Sequence, residues 1–133
     1  MCLDWVGKEG WEPSAIYWGA FDDETLVGFA GVKPSEADTR AVYLCNAAVL
    51  PEARGHRLQR RLIRVRLRWA KEQGFTLART YTLTDNPASA RSLIACGFKP
   101  FWPDVPWAGP HVCYWLHTQA RAAATAGRVM RTA

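Results

Sequence analysis

The residues of this chain best suited to chemistry lie between Val49 and Lys71. Here an apolar run ends at Pro51, a short turn reads Arg54-Gly55-His56-Arg57-Leu58-Gln59, and an arginine-rich stretch follows. A helix opening at such a turn leaves its first backbone N–H groups unpaired and carries partial positive charge at that end, which suits a phosphate or pyrophosphate. The turn is therefore an anion cradle. Proton-transfer groups are less clearly marked: Glu52, Asp85, Asp104 and Tyr81 are candidate bases without a supporting spacing, and His56, His111 and His117 stand alone. No serine or cysteine has a nucleophile's neighbours. Cys2, Cys45, Cys96 and Cys113 are widely spaced, form no Cys-x-x-Cys pair and have no histidines at ligand spacing, so no metal is expected and the thiols read as reduced and buried.

The cradle needs elements to hold it. Before it, residues 40–50 are dense in strand formers, and Pro51 closes them because proline cannot donate to a ladder. After it, Leu58, Leu62, Val65 and Trp69 recur at helical spacing, widened by Ile63, Leu67 and Ala70, with arginines expected on the opposite face and Gly74 as the stop. Residues 75–84 form a strand parallel to the one before the helix, making a β-α-β unit. Asp85 or Asn86 caps a shorter helix over 88–95, with Pro87 in its first turn and Gly97 ending it. Upstream, 15–20 and 25–32 form a hairpin that continues into 40–50 as an antiparallel meander. Downstream, 98–102 and 111–117 are the last strands. Residues 1–14 hold little pattern, with Gly7, Gly10 and Pro13 against a long element. The expected division is one domain over 1–117 and a frayed or disordered tail over 118–133.

With 133 residues, 49% apolar content and seven tryptophans, the chain suits a single globular domain and not a disordered one. The net charge of +5 is concentrated: Arg54, Arg57, Arg60, Arg61, Arg64, Arg66, Arg68 and Lys71 share one segment. Charge alone leaves nucleic acid, a membrane surface and a phosphorylated ligand open. No apolar run approaches the ~20 residues that cross a bilayer, and the N-terminus lacks a signal-peptide core, so a soluble cytoplasmic protein without a membrane partner is expected.

Two motifs in this order resemble the GNAT superfamily of N-acetyltransferases. One is Pro51-Glu52-Ala53-Arg54-Gly55-His56-Arg57-Leu58-Gln59, similar to that family's acetyl-CoA loop; the other runs from Asn86 to Gly97-Phe98, similar to its second motif. The resemblance covers roughly residues 15–117. It implies an α/β fold of α+β type: a GNAT-like mixed, mostly antiparallel sheet with a central parallel β-α-β unit and flanking helices, the N-terminal strand and helices being shortened. It also implies acetyl-CoA as cosubstrate and direct transfer of its acetyl group to a small-molecule or peptide amine. On that resemblance the amides from Gly55 to Gln59 would face the CoA pyrophosphate, with Arg54, Arg57 or Arg60 supplying charge. Ala47, Ala48 and Val49 would bond the pantetheine along a gap between splayed strands, the backbone of Val49 serving as oxyanion contact. His56, Asn86, Ser89 and Ser92 would lie within reach of CoA.

Three departures from the family pattern carry expectations. Arg57 and Gln59 replace small residues, and their side chains are expected to point outward from the first helical turn. The tyrosine used by many members as general acid falls at Leu93. The segment ahead of the first hairpin is short, so either the start is truncated or another subunit, as in a homodimer, completes the acceptor wall. Trp18, Tyr43, Trp102, Trp107, Tyr114 and Trp115 are candidates for that wall or for the core. A catalytically impaired CoA-binding domain is the alternative, with a nucleic-acid-binding module using the arginine helix less favoured.

Overall fold

The computed structural model describes residues 2–5 and 14–120. Among the described residues seven strands form one sheet: β1 (Cys2–Trp5), β2 (Ile16–Asp22), β3 (Thr25–Pro34), β4 (Ala41–Val49), β5 (Leu77–Leu83), β6 (Lys99–Phe101) and β7 (Val112–Thr118), in spatial order β1-β2-β3-β4-β5-β7-β6. All neighbours are antiparallel except β4 and β5, whose connection holds a 3₁₀ turn (Pro51–Ala53) and helix α1 (Leu58–Glu72). Helix α2 (Pro87–Ala95) follows β5. This is the mixed, mostly antiparallel α/β architecture with a parallel β-α-β centre that the element order predicts.

Alternation along the strands builds the core. Val42 and Leu44 of β4 and Ala78 of β5 face α1, which returns Leu62, Ile63, Leu67 and Ala70, while Leu93 of α2 and Trp115 of β7 close the cluster. Trp18 and Trp69 meet edge-on at 6.3 Å, and Trp69 stacks on Phe75 at 6.3 Å. Trp18 and Trp115 therefore belong to the core and not to an acceptor wall. On the other face, the connection between β6 and β7 folds back on the sheet: the Trp107 ring lies 6.1 Å from Tyr43 and 4.6 Å from Tyr114, whose hydroxyl bonds both the N–H and the C=O of Ala108.

Three local expectations are corrected. Cys2–Trp5 pairs with β2, a four-residue edge strand too short to show a period. The last strand continues to Thr118, opposite Leu77, and Gln119 bonds Thr76 and Leu67. The tail expected over 118–133 lies outside the described residues from 121 on. Arg66 does not join the other arginines outside: it is buried on the sheet side of α1.

Candidate functional site

β4 and β5 share three paired positions, Ala41 with Leu77, Val42 with Ala78 and Tyr43 with Arg79, and a last link from the Thr80 hydroxyl to the Leu44 carbonyl at 3.0 Å. Beyond it they part. The cause lies on the other edge of β4. The β3 partner shifts from Ala47 at Ala30 to Cys45 at Gly31, leaving Asn46 as an extra residue with φ +41. A bulge of this kind bends its strand and raises its twist. Asn is among the few residues that tolerate a left-handed backbone, and its Oδ1 is held by the Tyr17 hydroxyl at 3.1 Å.

The gap opens into a cleft of about 270 Å³ whose walls include Tyr43 to Ala47 of β4, Thr80 to Leu83 of β5, and Leu62, Arg66 and Leu93 from the helices. A second, outer groove of about 530 Å³ meets it, the two sharing Ala47, Gln59, Asn86 and Ser89. The outer groove collects every cofactor position expected from the motifs except His56: Ala47, Ala48 and Val49 from β4, Arg54, Gly55, Arg57, Leu58, Gln59 and Arg60 from the turn and α1, and Asn86, Ser89 and Ser92 from α2. His56 is exposed and is not part of its lining.

Backbone direction refines the β4 contribution. Leu50 donates to Val27 of β3 at 2.8 Å, and amides alternate along a strand, so Ala48 also faces β3 whereas Ala47 and Val49 face the gap. Ala48 thus offers its side chain and not its amide. Val49's carbonyl already accepts from Arg54 Nε at 3.3 Å, and of these two gap-facing residues only Ala47 lines both cavities.

The turn is shaped for an anion. Gly55 has φ +92, and a Cβ there would meet nothing within 4 Å, so the backbone is open to a ligand. Arg57 caps α1 from the left-handed region with φ +58. The first helical bond runs from Arg61 N–H to Arg57 O at 3.0 Å, leaving the amides of Leu58, Gln59 and Arg60 ahead of the ladder. Arg57 is exposed at the rim of the groove. Gln59, expected to point outward, is instead half-buried and donates to the Ser89 hydroxyl at 3.5 Å, a long contact bridging α1 and α2. Asn86 accepts from Ser89 N–H at 3.2 Å, the cap expected from sequence, with Pro87 in the first turn. A left-handed Arg is strained relative to Gly, so Arg57→Gly is expected to stabilise the fold by about 1 kcal/mol, roughly 3–5 °C in Tm, by thermal denaturation.

Of the proton-transfer candidates, Tyr81 alone lines the cleft, 37% exposed, while Glu52, Asp85 and Asp104 are on the surface outside it. Beside Tyr81, burial drives the Tyr43 hydroxyl up to about 12, with the Tyr81 hydroxyl adding to the rise and a hydrogen bond to Trp107 opposing it. The Tyr43 phenol is therefore a neutral hydrogen-bonding group near neutral pH. Leu93, 5% exposed, lines the cleft. His117 packs tilted against Phe98, ring centroids 5.2 Å apart, and burial lowers its pKa; neither it nor the exposed His111 lines either cavity. Trp102, 74% exposed, lines neither. Sequence reasoning passed over Asn46, Thr80 and Arg66. Asn46 had a visible signal, a turn former inside an apolar strand, as did Arg66, one turn after Leu62 within the apolar stripe.

Among the described residues no group of three or more His, Cys, Asp or Glu could hold a metal, no helix is long and apolar enough to cross a membrane, and Cys45, Cys96 and Cys113 are free thiols.

The sequence model of the family described as acetyltransferase (GNAT) matches residues 2–98. No curated protein matches the sequence. Solved structures do. The PaiA N-acetyltransferase of Thermoplasma acidophilum, in complex with coenzyme A, superposes with a TM-score of 0.68 at 21% identity over 79% of this chain and 61% of its own, so the chain spans about three fifths of that protein. The IAA acetyltransferase of Bacillus cereus gives 0.73 at 12% identity, covering 88% of this chain and 98% of its own. The phosphinothricin acetyltransferase of Sinorhizobium meliloti, in complex with acetyl-CoA, gives 0.65 at 18% identity, covering 85% and 67%.

Proposed function

Because this chain belongs to the acetyltransferase (GNAT) family, we propose that it moves the acetyl group of acetyl-CoA onto an amine by direct attack, with no covalent enzyme intermediate. The observation that carries this is the continuous groove from the start of α1 to the parting of β4 and β5, lined by both motifs. The residues present fit the cosubstrate. The free amides at the start of α1, with Arg54 and Arg60 beside them, suit a pyrophosphate. The gap-facing backbone of Val49 and Ala47 suits an amide-bearing arm.

Each step falls to a named group. The amide of Ala47, at the junction of the two cavities, polarises the thioester carbonyl and takes the oxyanion role in place of Val49, which lines the outer groove alone. The amine's lone pair forms the C–N bond, the C–S pair leaves on sulfur, and the ammonium proton passes to water held in the cleft or to an exposed carboxylate. Tyr81 and Tyr43 orient the acceptor by hydrogen bonds. Positioning supplies much of the acceleration. The acceptor is a small-molecule or peptide amine, and the setting cytoplasmic.

Titration with acetyl-CoA is expected to raise Tm, by about 2.7 kcal/mol of stabilisation at a hundred times Kd, and thiol release should follow on adding the right amine. Absence of any shift at millimolar acetyl-CoA would sink the proposal. A second reading has its own observation: the Leu93 side chain, in the wall of the cleft, has no proton to donate. It predicts the same thermal shift with no thiol release across a wide amine screen.

A further inference from the structure

Arg66 is a cation the fold has enclosed without a counter-ion. It is 4% exposed, on the inward side of α1. Its Nε donates to Leu62 O at 3.0 Å and its Nη1 to Gly31 O at 3.0 Å, both neutral carbonyls; among the described residues no carboxylate pairs with it and no acceptor meets its remaining nitrogen. Gly31 is the β3 residue at which the register shifts around Asn46, so the guanidinium is moored at the root of the bulge that parts β4 from β5. It also lines the inner cleft, as does Leu93. Burial brings its pKa down to about 10, which leaves it charged at neutral pH.

Enclosing an unpaired charge is costly, and an apolar side chain of similar volume would fill the space without that cost. Two backbone bonds at the bulge recover part of it. An anion in the cleft that Arg66 lines would offset more. Acetyl transfer makes one there: as C–N forms and C–S breaks, the bonding pair stays on sulfur as a thiolate, while the ammonium releases its proton elsewhere.

We propose that Arg66 stabilises the departing CoA thiolate electrostatically, so that the leaving group needs no proton donor. The inference rests on the acetyl-CoA reading above. Its chemistry is distinct from propping the bulge, because a prop needs only the two carbonyl contacts and leaves the acidity of a bound thiol untouched. Burial alone makes a thiol a weaker acid; beside a fixed cation it becomes a stronger one. The other titratable groups facing this region are Cys45 and Tyr43 on β4, Tyr81 on β5, Cys96 at the end of α2, whose thiol burial pushes up, and Arg60 and Arg64 on α1, which act on Cys96 in the opposite sense.

The test is the titration of CoA itself on the protein, followed by thiolate absorbance as the difference between CoA-loaded and free protein, which removes Cys45 and Cys96. In the wild type the bound thiol is expected to titrate at least one pH unit below free CoA. Arg66→Met should bring it to or above the free value with CoA still bound through the outer groove, and Arg66→Lys should keep it below. A wild-type value at or above that of free CoA overturns the proposal, as does an Arg66→Met complex that titrates like the wild type. If Arg66→Met fails to fold, the wild-type and Arg66→Lys values decide in the same way. A wild type that binds no CoA fails at the earlier step, and both proposals fall together.

Discussion

Arg54→Glu combined with Gly55→Pro is expected to abolish stabilisation by acetyl-CoA while leaving a folded domain. Gly55 holds φ at +92, and proline is locked near −65°, so the turn cannot present its amides as it does now. Arg54 lines the outer groove and ties back to Val49 through Nε; glutamate there loses the tie and repels a phosphate. Losing two charge-assisted contacts removes roughly 3–6 kcal/mol, about 10²- to 10⁴-fold in affinity. The turn is exposed, with nothing within 4 Å of a Cβ at Gly55, so the damage stays local. Circular dichroism checks the fold and a thermal-shift titration checks binding. A shift equal to that of the wild type would remove the turn from the site.

Leu58→Ala should do the reverse, weakening the fold and the turn together. Leu58 is 2% exposed at the first position of α1 and packs with Ala20, Val27 and Ala53 in a small cluster of its own beside the main core. Truncating a leucine so enclosed costs about 2–5 kcal/mol, out of a total stability of roughly 5–15 kcal/mol. The same contacts hold the start of α1 against β2 and β3, so the amides that follow Arg57 lose their fixed direction. Chemical denaturation should show the lower midpoint, and acetyl-CoA affinity should fall as well. A loss of stability with unchanged affinity would show that the cradle is held by the ladder of α1 alone.

Most of the architecture is legible in the chain because its causes are local. The stripe of Leu58, Leu62 and Ile63 sets the buried face of α1. Asn86 with Pro87 starts α2 by bonds that span three residues. The motifs also place their groove, since all expected cofactor positions but His56 converge on it. His56 shares the turn with them but is directed to solvent, and the direction of a loop side chain has no periodicity to reveal it.

What the sequence determined by itself, then, is the order of the elements, the family, and the turn that could hold an anion: each follows from spacing, capping and backbone preference within a few residues. What only the tertiary structure decided are the features that depend on partners far along the chain. The parting of β4 from β5 follows from how Asn46 misses a partner on β3. Gln59 turns inward because Ser89 stands 30 residues away across the groove. Arg66 is enclosed because a carbonyl 35 residues upstream receives it, and that long-range contact makes one arginine among eight clustered cations a part of the cleft.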